Sequence, residues 1–71
     1  MIKINSKMLK SASAYYKENN ISTSIINKKI YINLNDLVME LSDIEIRFRS
    51  RIYDKEQEYL QFIKDYNNNN N

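Results

Sequence analysis

The chain has 71 residues, a net charge of +2, and no Cys, His, Gly, Pro or Trp. A single small domain of this size draws only about 3 to 5 kcal/mol from its core. Without Cys or His, disulfides, thiolate or imidazole metal sites and the commonest general base are all excluded, so no cofactor or metal is expected and self-association is the remaining staple.

No apolar run approaches the roughly 18 residues of a membrane span or the shape of a signal peptide. A cytoplasmic protein that makes no membrane contact is therefore expected. The heavy use of Asn, Lys, Ile and Tyr resembles the AT-rich coding bias of low-GC bacteria and their phages.

Charge is unevenly placed. Residues 1–34 hold six Lys and one Glu, and residues 35–71 hold five basic and eight acidic side chains, so the halves carry +5 and −3. The basic half suits nucleic acid or an acidic partner, and the acidic half suits a basic protein groove or the basic half of a second copy.

In chain order, Ser6 to Asn19 reads as a first helix, with Ile4, Met8, Leu9, Ala12, Tyr15 and Tyr16 on one side at about 100° per residue. Lys7, Lys10 and Lys17 fall on the opposite side. Such a stripe is the ordinary wet face of an amphipathic helix, and it also has the spacing to track a phosphate backbone. Asn19 and Asn20 end the helix, since Asn tolerates the left-handed cap conformation.

Ile21–Ile26 and Lys29–Ile32 are β-branched runs separated by Asn27 and Lys28, which predicts a two-residue hairpin with Lys28 and Lys29 at its tip. A hairpin alone is marginal and must pack on a helix.

From Asn33 to Tyr66 the residues Leu34, Leu37, Leu41, Ile44, Phe48, Ile52, Tyr59, Phe62 and Tyr66 keep helical spacing. A long C-terminal helix is expected, capped by Asn33 with Asp36 three residues on and Ile32 against Leu37 as a staple. Ser42 with Glu45 repeats the capping-box spacing, so the helix is expected to kink or restart there.

Residues 44–53 also alternate apolar and polar, the signature of a half-buried strand, and that alternative stays open. The pairs Asp43–Arg47 and Glu45–Arg49 favour helix. A heptad counted from Leu34 puts Arg51, Lys55 and Glu58 in the seam, which argues against a long coiled coil and for a short dimer contact. The fold class expected is α+β, mostly α, in one domain over 1–66, followed by a disordered tail of five asparagines at 67–71.

All three arginines, Arg47, Arg49 and Arg51, fall within five residues, and they read either as a contact surface or as solvated helix residues. Tyr59, Leu60, Phe62, Ile63 and Tyr66 exceed what one short N-terminal segment can cover, which makes them the expected dimer or partner interface. Asp54, Glu56 and Glu58 lie two apart on a helix, a solvated face more than a metal site.

Over residues 15–44 the chain resembles part of the MerR family of winged-helix transcription regulators. Tyr15, Tyr16, Lys17, Glu18, Asn19, Asn20 and Ile21 are similar to the family's paired tyrosines, acidic residue and turn. Lys29, Ile30 and Tyr31 are similar to its wing strand, and Asp36, Leu37, Leu41 and Ile44 to its following helix. The family's helix-turn-helix, which precedes the tyrosines, is incomplete in the 14 residues before Tyr15.

The resemblance implies phosphate contacts from Tyr15 and Lys17, a wing contact from Lys29 and dimerisation through the long helix. The function expected is a non-enzymatic DNA-binding or regulatory accessory protein of a phage or mobile element. The alternative is a phage-encoded inhibitor that blocks a host protein such as a CRISPR effector or replication factor, with Asp54, Glu56, Glu58 and Asp65 filling a basic groove.

Overall fold

The computed structural model describes residues 3–69. The chain is α+β and mostly helical, in the order α1 (Ser6–Glu18), β1 (Ser22–Ile26), β2 (Lys29–Leu34), β3 (Leu37–Glu40) and α2 (Asp43–Asn69).

α1 starts where the Asn5 side chain accepts the Met8 amide at 2.9 Å, an N-cap one residue before the expected start. Its end closes as a Schellman motif. Ile21 N–H reaches Tyr16 O at 3.0 Å and Asn20 N–H reaches Lys17 O at 3.0 Å, with Asn20 at φ 63°. The asparagines thus terminate the helix as expected, and Ile21 turns back onto the core.

Asn27 and Lys28 form the expected two-residue turn, with φ of 52° and 63°. Both positive values match the primed turn whose twist suits adjoining strands. β1 and β2 pair antiparallel, Ile25 opposite Ile30 and Thr23 opposite Ile32.

The structure corrects the next segment. The expected helix over 34–41 is instead a second hairpin: Asn35 and Asp36 take φ of 52° and 66°, and β3 pairs back on β2 with Leu37 opposite Leu34 and Met39 opposite Ile32. Asn33 is a strand residue and not a cap, and Ile32 and Leu37 form no staple. Asp36, Leu37 and Leu41, which the family resemblance put on a helix, lie in the turn, in β3 and just after it, while Ile44 alone is helical.

Helix formation begins at Ser42. Its hydroxyl accepts the Glu45 amide at 3.2 Å, so Ser42 is the N-cap of α2 and the helix restarts there, with no kink within a longer helix. From there the helix is unbroken through Asn69, which overturns the strand alternative for 44–53 and takes Asn67–Asn69 into the helix. Asn70 and Asn71, the end of the expected tail, lie outside the described residues. Of the two acid-before-base pairs, Glu45–Arg49 forms at 2.7 Å, and Asp43–Arg47 is not among the ion pairs of the described residues.

The core is one cluster: Leu9, Ala12 and Tyr16 from α1, Ile30 and Ile32 from β2, Leu41, and Ile46 from α2. Leu41 N–H continues the ladder past β3 by bonding Ile30 O at 2.9 Å. α1 is the central element, packed on both the sheet and the first half of α2. The fully buried Ser50 and Ala12 are small enough to let backbones approach.

Candidate functional site

α1 and α2 are joined by one polar cluster. The Tyr16 hydroxyl donates to Glu45 Oε1 at 2.7 Å, and Arg49 Nε donates to the same oxygen at 2.7 Å and to the Tyr16 hydroxyl at 3.2 Å. Arg49 Nη1 donates to the Tyr15 hydroxyl at 3.1 Å, and its guanidinium carbon stands 5.0 Å from the Tyr15 ring centroid. Tyr15 and Tyr16 meet edge to face at 5.3 Å. One turn further along, the Ser11 hydroxyl donates to Asp54 Oδ1 at 2.7 Å.

The charges in the cluster shape its acid-base behaviour. Burial and the bond to Glu45 push the Tyr16 hydroxyl above its ordinary value, and the hydrogen bonds from Tyr16 and Arg49 hold the Glu45 carboxyl below its own. The Glu45 bond raises Arg49 further. These side chains border a groove of about 600 Å³ floored by Ile32, Met39 and Leu41.

The candidate basic residues therefore divide. Arg49 and Tyr15 are half-buried and committed to each other, whereas Lys7, Lys10, Lys17, Lys28, Arg47 and Arg51 are exposed. Lys29 is exposed too, but it lies 3.7 Å from Glu40 across the β2–β3 pair. Lys10 and Lys17 are one above the other on α1, on the side away from Ala12 and Tyr15. The three arginines do not share a face: with α2 at about 100° per residue, Arg47 and Arg51 stand well over 90° from Arg49.

The candidate interface residues Tyr59, Leu60, Phe62 and Tyr66 are all exposed, with Ile63 half-buried. Sequence reasoning misses that Ile44 and Phe48 are exposed as well. Their spacing of four, continued by Ile52, is the available signal. Leu37, Val38 and Met39 at the far hairpin are also exposed and apolar.

Among the described residues no group of three or more acidic side chains is placed to hold a metal, and no helix is long and apolar enough to cross a membrane. Comparison with protein-family models, curated proteins and solved structures gives no match.

Proposed function

We propose that this chain is a small non-enzymatic DNA-binding or regulatory accessory protein, cytoplasmic and dimeric through α2. The observation that carries the reading is the segregation of α1, whose Leu9, Ala12 and Tyr16 are buried while Lys7, Lys10 and Lys17 remain exposed. Lysines one and two turns apart add phosphate contacts without reading bases. Lys28, at the tip of the first hairpin, adds a further cation. Arg49 makes no contribution in this reading, because its charge is spent on Glu45.

The test is a mobility shift of duplex DNA at about 50 mM salt, a condition generous to electrostatic binding. Binding that weakens on reversal of Lys10 and Lys17, whatever the DNA sequence, supports the reading, and failure to shift overturns it.

A second reading has its own observation. Glu56, Glu58 and Asp65 are exposed along the C-terminal half of α2, and such an acidic helix suits a plug for a basic groove of a host protein. Asp54 drops out of that set, being held by Ser11. Nuclease-resistant recovery of a single host protein, lost on reversal of Glu56 and Glu58, is the outcome expected of this reading.

A further inference from the structure

α2 carries two apolar faces, and the fold uses only one. Ile46 and Ser50 face the core. At about 100° per residue, Ile44, Phe48, Ile52, Lys55, Tyr59, Phe62 and Tyr66 gather in a sector roughly 80° wide on the opposite side. Ile44, Phe48, Tyr59, Phe62 and Tyr66 are 73%, 55%, 63%, 67% and 61% exposed. The hollows beside Ile44 and Phe48 on this face are lined by α2 residues alone, while Ile52, half-buried, also borders a hollow shared with Tyr15 and Glu18 of α1.

The spacing of that stripe is specific. From Phe48 onward it runs 48, 52, 55, 59, 62, 66, alternating steps of four and three, which is the seam of a left-handed coiled coil. A count begun at Leu34 hides this frame, because Leu34 belongs to β2.

We infer that the stripe is covered by α2 of a second copy running antiparallel. Aligning the seams so that Phe48 lies opposite the partner's Tyr66 and Ile52 opposite the partner's Phe62 also sets Lys55 against the partner's Tyr59. All six seam positions are then used, and the one lysine meets an aromatic face. A parallel pair would instead oppose Lys55 to the partner's Lys55.

The flanking charges are compatible with the same direction, and only the Arg51–Asp65 pairing is particular to it. Arg51 and Asp65 lie on the same edge of the stripe, and antiparallel coils bring like edges together in reverse order. Arg51 then meets the partner's Asp65 at both ends of the contact. Glu58 meets the partner's Glu58 at the two-fold axis, where Lys55 of each copy supplies counter-charge one turn away.

The exposed seam aromatics Phe48, Tyr59, Phe62 and Tyr66, at roughly 150–250 Å² for a whole side chain, offer on the order of 500 Å² per copy before the flanking side chains are added, against the about 800 Å² per partner of a standard interface. This inference rests only on the dimeric part of the proposed function and stands or falls without DNA.

The test is sedimentation of the free protein at about 100 μM, well above the micromolar range, with three single variants. The wild type sediments as a dimer, and Phe62→Glu sediments as a monomer with unchanged helicity. Arg51→Asp and Asp65→Arg each weaken the dimer at least tenfold by opposing like charges. An equimolar mixture of the two regains it, because both end contacts of the mixed dimer then pair an acid with a base. A monomeric wild type, a dimer that Phe62→Glu leaves intact, or single variants that mixing does not rescue overturns the inference. Failure of DNA binding with these results intact counts against the nucleic-acid reading alone.

Discussion

Arg49 Nε stands 2.7 Å from Glu45 Oε1 and 3.2 Å from the Tyr16 hydroxyl, so one edge of a guanidinium closes the cluster that ties α1 to α2. Tyr16, like Tyr15, crosses between the helices, and its ring sits in the core. Tyr16→Phe keeps the ring and removes the bridging hydroxyl, and is expected to cost about 1.5 to 3 kcal/mol, the net worth of a hydrogen bond to a charged group. The urea midpoint, at unchanged slope, reads that loss.

The same cluster gives stability a pH profile. Glu45 is held below its ordinary value of 4.5, so its contribution is complete above that pH and is lost as pH falls through the lowered folded value. Tyr16 is raised above 10.0, so its contribution is complete below that pH and fades as pH rises through the raised folded value. Thermal melts across pH should show a plateau with two falling limbs. Glu45→Gln should lower the plateau and flatten the acid limb.

Ser13 is buried, and its hydroxyl has no hydrogen-bond partner among the described residues. An unsatisfied buried hydroxyl costs about 1 to 3 kcal/mol in desolvation. Ser13→Ala removes the polar atom and leaves the backbone unchanged, so the variant is expected to be more stable by up to about 1 kcal/mol. A lower melting temperature would contradict this account of the α1 packing.

Asp36 holds φ at 66° in the second hairpin turn. The left-handed conformation costs a residue with a Cβ roughly 1 to 2 kcal/mol, which glycine does not incur. Asp36→Gly should therefore stabilise the domain, by about 1 kcal/mol once the extra entropy of glycine in the unfolded chain is counted. Chemical denaturation checks it.

How much was legible in the sequence follows from which signals compete. α1 was legible because its apolar residues, Leu9, Ala12 and Tyr16, keep helical spacing and nothing else explains them. The first hairpin was legible from Asn27 between two β-branched runs. The second was hidden because Leu34, Leu37 and Leu41 lie three and four apart, a spacing that suits a helix, while Leu34 and Leu37 are also partners across a two-residue turn. Asn35 and Asp36 were the discriminating signal, since Asn and Asp tolerate positive φ.

For residues 44–53 the alternation of Ile44, Ile46 and Phe48 favoured a strand, and the local Glu45–Arg49 pair together with the Ser42 cap outweighed it. In the candidate site, the lysines of α1 were legible as an exposed face. The different fate of Arg49 was not, because it depends on Tyr15 and Tyr16 arriving from another helix.

The central claim, that α1 and the first hairpin tip present phosphate-binding cations, is tested most directly by the salt dependence of duplex DNA binding. If Lys7, Lys10, Lys17 and Lys28 each neutralise one phosphate, the logarithm of the binding constant should fall against the logarithm of salt with a slope of roughly −3.6 per copy. Reversing Lys10 and Lys17 should lower that slope by roughly half. A slope near zero, or one that these reversals leave unchanged, would contradict the account.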